Sequence, residues 1–221
     1  MFQKILIANR GEIAVRIIRA CREMGIKTVA VYSEADRDAL HTLLADEAIC
    51  IGPAPSTESY LDMERILTAC VVMKADAIHP GFGFLSENAR FAELCEKCNI
   101  RFIGPSAEII NKMGNKSEAR KTMMAAGVPV VPGSKEPVYT VEEGLKTAKE
   151  VGFPVMIKAS SGGGGKGMRV SRSEEDFEAN FLNAQMESVK GFSDNTMYIE
   201  RFVENPRHIE FQILGDRYGN V

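Results

Sequence analysis

The residues of this chain best suited to chemistry form a glycine-rich loop with one lysine before it and one inside it. The loop covers residues 160–167, Ser-Ser-Gly-Gly-Gly-Gly-Lys-Gly, and follows an apolar segment, residues 153–159, that carries Lys158. Glycines let backbone N–H groups approach phosphate oxygens closely, and Lys158 and Lys166 can neutralise the negative charge. This combination predicts a polyphosphate site, and a nucleoside triphosphate is the obvious ligand.

The elements around the loop distinguish it from two better-known phosphate-binding loops. A Walker loop needs Gly-x4-Gly-Lys-[Ser/Thr] at the start of a helix, whereas here Ser160 stands five residues before Gly165 and Gly167 follows the lysine. A Gly-x-Gly-x-x-Gly fingerprint fits residues 162–167 by count, but it should join a strand to a helix, and the residues after this loop predict a strand. A flexible linker has a similar composition. The two flanking apolar strands and the lysines favour a phosphate-binding loop instead.

Residues 1–104 alternate between predicted strands and helices, which indicates a parallel sheet covered by helices on both faces. Ligands of such sheets bind at the carboxyl ends of the strands, where Asn9-Arg10-Gly11 and residues 79–84 lie. His79 ends its strand, and its type and place fit either a functional or a structural histidine. The predicted elements are strand 4–9, helix 12–24, strand 28–33, a loop through 36–38, strand 48–51, helix 60–74, strand 77–79, helix 87–98 and strand 100–103.

A smaller α+β unit is predicted in the second part of the chain. Residues 106–127 predict two short helices broken near Gly114, and residues 207–214 predict a strand that turns into a hairpin. An edge strand without a partner would leave backbone groups unpaired, so we expect the sequence to be part of a longer one. Between these segments the predicted elements are helix 141–151, strand 153–159, the glycine loop, strand 168–172, helix 174–190 and strand 196–203.

Composition limits the classes of function. The chain has 221 residues, of which 45% are hydrophobic and 26% charged, as expected of an ordered globular protein. A net charge of −3 disfavours a nucleic-acid-binding surface, and no apolar stretch is long enough to span a membrane. Five scattered cysteines argue against a disulfide framework and indicate a reducing cytoplasm. Cys95 and Cys98 are close, but they lack a second Cys or His pair for zinc, so packing in a helix is favoured.

Motifs spread along the whole chain resemble those of the biotin carboxylases, a family of the ATP-grasp superfamily. Residues 50–55 with 59–61 resemble the biotin carboxylase subunit of acetyl-CoA carboxylase more than pyruvate carboxylase. The motifs are Ile-Ala-Asn-Arg-Gly-Glu-Ile-Ala at 7–14, His-Pro-Gly-Phe-Gly-Phe-Leu-Ser-Glu-Asn at 79–88, Met-Gly-Asn-Lys at 113–116, the glycine loop, and Glu-Asn-Pro-Arg-His-Ile-Glu at 204–210.

The resemblance implies an α/β fold with two parts. A doubly wound parallel-sheet (pre-ATP-grasp) domain would be followed by the small α+β lid subdomain of an ATP-grasp fold, ending before the main ATP-grasp subdomain. The implied boundaries are 1–112 for the N-terminal domain, 113–133 for a helical connector, 134–203 for the lid, and 204–221 for the incomplete start of the C-terminal subdomain.

The resemblance also implies an activity and its partners. In this family ATP phosphorylates bicarbonate, and the carboxyl group is transferred to biotin on a biotin carboxyl carrier protein. For acetyl-CoA carboxylase this is the first half-reaction, which serves fatty acid synthesis in the cytoplasm together with carboxyltransferase subunits. A homodimer is implied too, with Arg16, Arg19 and Glu23 at the subunit interface; the alternative is a solvated helix face.

Nucleotide contacts follow from the same match. Lys116 and Lys158 would contact phosphates, Gly164 and Gly165 would supply backbone N–H groups, and His208 would lie near the ribose. Without the match, Lys116 would be a solvated surface lysine and residues 198–203 an ordinary half-buried strand. The full implied set is Lys116, Lys158, Gly164, Gly165, Met168, Glu200, Arg201, Phe202, Val203 and His208, with 200–203 as the adenine-binding strand. His79, Glu87 and Asn88 are candidate cleft residues; the last two could instead simply open a helix.

The chain departs from the family pattern in three respects. Ser161 stands where many members carry glycine, and Arg201 where lysine is common. The Mg²⁺ ligands, the bicarbonate and biotin contacts and the catalytic base are expected beyond Val221, so we assign no catalytic residue or metal ligand and expect no turnover by this chain alone.

Two alternatives stay open: another ATP-grasp ligase, such as a carbamoyl-phosphate or purine-pathway enzyme, and a non-catalytic nucleotide-binding or assembly module.

Overall fold

The computed structural model describes residues 2–114, 116–160, 167–192, 194–216 and 218–221. It divides into two compact units, Met1–Thr122 and Met123–Val221. The second unit begins inside the predicted helical connector. The four-part division implied by the family resemblance stays a prediction.

The first unit contains the predicted alternation of strands and helices. Its strands form one parallel sheet in the order β3-β2-β1-β4-β5. The elements are β1 (Lys4–Ile7), α1 (Gly11–Glu23), β2 (Lys27–Ser33), α2 (Leu40–Leu44), β3 (Glu47–Gly52), α3 (Met63–Val72), β4 (Ala77–His79), α4 (Ala89–Lys97), β5 (Arg101–Phe102) and α5 (Ala107–Gly114), followed by α6 (Lys116–Ala125) across the boundary between the units.

Helices cover both faces of this sheet, as predicted. Successive side chains of a strand point to opposite faces, so β1 contributes to two separate cores. Leu6 packs in a cluster with residues of α3 and α4, whereas Ile5 and Ile7 pack in another with residues of α1. Burial on both faces explains why the strands are continuous apolar runs.

Two local features differ from the predicted elements. A five-residue helix, α2, lies just after the predicted loop, and it buries His41, whose Nε2 lies 3.2 Å from the Val31 carbonyl oxygen. Such a short helix has too few turns to show a 3.6-residue period. Helix α3 begins at Met63, later than predicted, because the Asp62 carboxylate caps it by accepting a hydrogen bond of 3.1 Å from the Arg65 N–H.

The second unit is a three-stranded antiparallel sheet in the order β7-β6-β8, with two helices on one face. Val155, Ile157 and Ala159 of the central strand pack against Phe177 and Phe181. Strands β6 and β7 flank the glycine loop, which confirms that it joins strand to strand. The elements are α7 (Val141–Val151), β6 (Val155–Ala159), β7 (Met168–Ser171), α8 (Glu174–Phe192) and β8 (Met197–Arg201).

The predicted strand at 207–214 is wrong for this structure. Residues 206–216 contain neither helix nor strand, and the side chains of Ile209, Phe211 and Ile213 are exposed. A turn does follow, in which the Asp216 N–H donates to the Asn220 carbonyl at 3.0 Å. The alternating pattern is present in the sequence, but a strand requires a paired neighbour, and the described residues supply none here.

Candidate functional site

The face of the small sheet that α7 and α8 leave uncovered carries the strongest candidate site. Lys158 lies opposite Met168 on β7 and Tyr198 on β8, and opposite residues in antiparallel strands share a face. Met156 is opposite Val170 and Glu200 in the same way. We call this surface the open face; it consists of Met156, Lys158, Met168, Val170, Tyr198 and Glu200, all partly accessible to solvent.

A lysine and a glutamate meet on the open face. Lys158 Nζ donates to Glu200 Oε2, and the two side chains are 32% and 27% exposed. The residues are diagonal neighbours across β6 and β8, because Lys158 pairs with Tyr198 and Glu200 stands two residues further on. An ammonium donor and a carboxylate acceptor are therefore held together among apolar side chains, where charges are less screened than in water.

The end of β8 presents a free backbone donor. The Arg201 N–H donates to the Pro132 carbonyl at 2.8 Å, and the Phe202 N–H donates to the Pro154 carbonyl at 2.9 Å. The Val203 N–H makes no hydrogen bond to any described residue. Of the four residues predicted to form the adenine-binding strand, Glu200 thus offers a side-chain acceptor and Val203 a backbone donor.

The Arg201 side chain points away from the open face. Its Nε donates to the Val151 carbonyl at 3.2 Å, and its Nη2 donates to the same oxygen. Val151 is the last residue of α7, so the guanidinium caps the carbonyl end of a helix, where a positive charge is favourable. A contact from Arg201 to a nucleotide on the open face would have to come from its backbone.

For the remaining predicted nucleotide contacts, the described atoms show no contact with the open face. Lys116 begins α6, but its side chain lies outside the described part of the structure, as do Gly164, Gly165 and Ser161 entirely. His208 is exposed, and its Nε2 lies 2.9 Å from Glu210 Oε1. Their roles stay predictions.

In the first unit, the two predicted ligand-binding segments do meet at the carboxyl edge of the parallel sheet. The buried Asn9 side chain donates from Nδ2 to the Pro80 carbonyl at 2.7 Å and to the Phe82 carbonyl at 2.8 Å. Gly81 has φ +66°, and a Cβ there would lie 2.8 Å from Asn9 Nδ2. This tight contact excludes a side chain at position 81 and fixes the path of residues 80–82.

His79 has a structural role in this segment. Its Nδ1 accepts a hydrogen bond of 3.1 Å from the Gly81 N–H, and burial, helped by the Arg16 charge, lowers the pKa of its imidazole. The ring is thus a neutral acceptor near pH 7. Asn88 caps α4 by accepting from the Phe91 N–H at 2.9 Å, and Glu87 is exposed in front of that helix. The described contacts of His79 and Asn88 are therefore structural ones, and none is described for Glu87.

A cluster of polar and aromatic side chains at the same edge escaped the sequence reasoning. The Tyr60 hydroxyl accepts from the Ser33 N–H at 3.0 Å and donates to Asp36 Oδ2 at 2.7 Å. The Arg10 guanidinium lies 5.1 Å from the centre of the Tyr60 ring and 3.2 Å from the Asp36 carboxylate. Phe84 stacks on Tyr60 with ring centres 5.0 Å apart. The cluster therefore joins the loops that follow β1, β2, β3 and β4.

The cluster alters two acid–base equilibria. Burial opposes ionisation of Asp36, but hydrogen bonds from Tyr60, Ser33 and Arg10 outweigh it and hold the pKa of its carboxyl below the ordinary value. Burial, followed by the hydrogen bond to Asp36, raises the pKa of Tyr60 to about 12. Asp36 is thus ionised and Tyr60 neutral near pH 7. Sequence patterns do not place Asp36 next to Tyr60, because the two loops meet only once the strand order is known.

No group of three or more His, Cys, Asp or Glu side chains that could hold a metal ion occurs among the described residues. The described helices include none that could cross a membrane. All five cysteines are free thiols; Cys95 is buried in the core, and Cys98 is exposed at the end of α4. The packing interpretation thus holds for Cys95, whereas Cys98 is exposed.

Two family models match the chain. The biotin carboxylase N-terminal domain matches residues 1–110, and the ATP-binding domain of the carbamoyl-phosphate synthase L chain matches residues 115–221. Together they divide the chain near the boundary between its two units.

Curated proteins and solved structures give a consistent result. The chain is 60% identical over 220 residues to a biotin carboxylase of Nostoc sp. and 58% identical over 221 residues to biotin carboxylase 1 of Bacillus subtilis, and each match covers 100% of this chain and 49% of the relative. A biotin carboxylase–β-γ-ATP complex from Campylobacter jejuni is similar with a TM-score of 0.90 and 53% identity, covering 100% of this chain and 49% of that one. The biotin carboxylase domain dimer of Hydrogenobacter thermophilus 2-oxoglutarate carboxylase, in complex with MgADP, ADP and bicarbonate, has a TM-score of 0.87 at 52% identity, with 100% and 48% coverage. The chain spans about half the length of the curated relatives it matches.

Proposed function

Because this chain belongs to the biotin carboxylase family and corresponds to its N-terminal part, we propose that it binds ATP for the bicarbonate-dependent carboxylation of biotin. In this reaction bicarbonate attacks the γ-phosphorus of ATP, ADP leaves, and the carboxyphosphate formed supplies the carboxyl group for a ureido nitrogen of biotin. The match of residues 1–110 to a biotin carboxylase model favours this reaction over that of other ATP-grasp ligases.

The open face carries this proposal. Phosphoryl transfer depends mainly on positioning and on neutralising phosphate charge, so a lysine and backbone donors are the required groups. Lys158 stands at the end of β6 beside the glycine loop, where its ammonium group can pass from Glu200 to a phosphate oxygen. An ionised acceptor of this kind makes a stronger hydrogen bond than a neutral one.

The same face suits a purine base. The methionines 156 and 168 and Val170 offer apolar surface for a ring, while Glu200 can accept from an amino group. The Val203 N–H can donate to a ring nitrogen, since no described residue occupies it. Adenine has both the amino donor and the ring acceptor that this arrangement needs.

Among the described residues no group of three or more His, Cys, Asp or Glu side chains could hold a metal ion, so we assign no residue of this chain to Mg²⁺. No described residue is proposed as the catalytic base or as a bicarbonate or biotin contact. We propose that the chain binds nucleotide but does not turn over by itself.

Two measurements on the 221-residue chain test these proposals separately. Isothermal titration with ATP should show saturable binding that weakens when Lys158 is replaced by methionine. A phosphate-release assay with ATP, Mg²⁺, bicarbonate and biotin should show no turnover above a protein-free control. Absence of ATP binding would contradict the nucleotide-site proposal, and bicarbonate-dependent turnover would contradict only the second.

The proposed partners are a biotin carboxyl carrier protein, carboxyltransferase subunits and a second biotin carboxylase subunit. We propose acetyl-CoA carboxylase as the parent complex, although a protein named 2-oxoglutarate carboxylase small subunit is also 52% identical over 221 residues. Arg16, Arg19 and Glu23 are exposed on α1, as a subunit interface on this helix requires. Pull-down of biotinylated carrier protein by the chain measures carrier binding. An α1 charge-reversal variant should lose dimer formation but still capture the carrier, and loss of capture in this variant would show that the two are not separate.

A further inference from the structure

Strand β7 lies at the outside of the small sheet, and no described strand pairs with its far edge. The Ala159 N–H donates to the Gly167 carbonyl at 2.9 Å, and this pair continues the register of β6 against β7. Hydrogen-bonded and non-hydrogen-bonded pairs alternate along antiparallel strands, so Met168 and Val170 belong to non-hydrogen-bonded pairs. Their carbonyl groups therefore point to the far edge, where a carbonyl normally has no partner in its own sheet.

Two side chains supply the missing partners. Arg169 Nη1 donates to the Met168 carbonyl at 2.7 Å, and Asn180 Nδ2 donates to the Val170 carbonyl at 3.3 Å. Asn180 belongs to α8, and so does Glu187, whose Oε2 lies 3.0 Å from Arg169 Nη2. Both edge carbonyls are thus tied to α8, one directly and the other through an ion pair.

The residues held in this way carry part of the open face. The side chains of Met168 and Val170 lie there, and the proposed nucleotide site uses them as apolar surface for the base. Arg169 stands between them in the strand and is opposite Ile157, which packs in the core with residues of α8. Its side chain therefore starts from the other face of the sheet, and neither Arg169 nor Asn180 belongs to the open face.

We propose that Arg169 and Asn180 are positioning residues for the base of the nucleotide. By fixing the two carbonyl groups they fix the backbone from which Met168 and Val170 project, so the apolar surface is ordered before the ring arrives. A surface that must become ordered during binding lowers affinity, and here the loss falls on the base and not on the phosphates. The inference rests on the proposed nucleotide site and assigns determinants of base affinity that do not touch the ligand.

Asn180→Leu tests this without changing the charge. Leucine is close to asparagine in size but has no amide donor for the Val170 carbonyl. Calorimetric titrations of the 221-residue chain with ATP, adenosine and inorganic triphosphate separate the two ends of the ligand. We expect the dissociation constants for adenosine and ATP to rise roughly 2- to 12-fold, the equivalent of ordering one side chain, and the constant for triphosphate to stay unchanged. Asn183→Leu, the same substitution at an exposed position of α8, is the matched control and should leave all three constants unchanged.

Arg169 gives a second test with its own conservative variant. Arg169→Met removes the donor and the ion pair and should weaken adenosine binding by a similar factor. Arg169→Lys keeps the charge and a donor, so it should restore most of the affinity. Arg172→Met is the control for the loss of charge, because Arg172 Nη1 lies 3.1 Å from Glu204 Oε1 and this exposed pair holds no carbonyl of the edge.

A purely structural role would lower the folded fraction and with it the binding of all three ligands alike, and urea denaturation of each variant measures that fraction. Unchanged adenosine affinity in Asn180→Leu or in Arg169→Met would overturn the inference. So would a loss of triphosphate affinity in Asn180→Leu equal to the loss for adenosine. Absence of ATP binding by the unmodified chain is a different outcome, because it contradicts the proposed nucleotide site and removes this inference with it.

Discussion

Replacing Lys158 by methionine separates nucleotide binding from folding. Methionine keeps the length and apolar stem of lysine but removes the ammonium group that donates to Glu200 on the open face. If Lys158 contacts phosphate, the variant loses a charge-assisted hydrogen bond, which is worth about 1.5–3 kcal/mol. The dissociation constant for ATP should therefore rise roughly 10- to 150-fold.

The same substitution should change folding stability little. The Lys158–Glu200 pair is partly exposed, and pairs of this kind contribute at most about 1 kcal/mol. Glu200, 27% exposed, can hydrogen-bond to water once its partner is removed. The free energy of unfolding, measured by urea denaturation, should thus fall by no more than about 1 kcal/mol.

A second lysine provides the matched control. Lys149 Nζ lies 2.7 Å from Glu174 Oε2 on the surface of the same unit, and both side chains are about half exposed. Lys149→Met removes the same charge and a similar ion pair but lies on α7, away from the open face. Titration calorimetry with ATP should show the affinity loss in Lys158→Met only. Equal ATP affinities of the two variants would refute the reasoning about the open face. So would a loss of ATP affinity in Lys158→Met that is fully accounted for by the fraction of unfolded protein.

Three further results are expected. Glu200→Gln should reduce the preference for ATP over GTP in competition titrations, because a glutamine amide can donate to the guanine oxygen that a carboxylate repels; an unchanged preference would remove Glu200 from base selection. Tyr60→Phe should lower the free energy of unfolding in urea by about 1–3 kcal/mol, since it leaves the buried Ser33 N–H and the Asp36 carboxylate short of a partner, whereas Tyr32→Phe, whose hydroxyl makes no such bonds to described residues, should cost less. Burial lowers the pKa of His41, so the unfolded chain takes up a proton near pH 6.5 while the folded chain stays neutral; stability should decline as the pH falls below about 6.5. That decline, followed by urea unfolding at several pH values, should be shallower in His41→Phe, and an equal slope would contradict the assignment.

The sequence is sufficient for the elements and for the strand-to-strand placement of the glycine loop, because these depend on local periodicity. Strand β4 and helix α7 have the predicted bounds. Short elements are different, since α2 has too few residues to show a period. Residues 207–214 show the opposite case, where a clear period does not produce a strand because pairing is a property of two segments.

Contacts between distant residues are harder to predict than elements. Lys158 and Glu200 are 42 positions apart, and only the register of β6 against β8 makes them neighbours. The direction of the Arg201 side chain depends on where α7 ends, and the Arg10 cluster depends on the order of four strands. Motif resemblance identified Lys158 and Glu200 individually, but it gave no reason to expect that they form a pair with each other.

That pair bears on how the site works. In the structure the ammonium group of Lys158 is satisfied by Glu200, so a phosphate must replace one acceptor with another, while Glu200 becomes free to accept from a base. Binding of the phosphate and binding of the base are thereby linked through one broken ion pair, because either ligand part alone exchanges the partner of one charge and leaves the other charge to water. The binding free energy of a nucleotide that carries both parts should exceed the sum of the binding free energies of adenine and inorganic triphosphate. Titrating adenine and triphosphate separately and then each in the presence of the other, alongside ATP, measures this linkage. In the Lys158→Met variant we expect each fragment to bind with the same affinity whether or not the other is present.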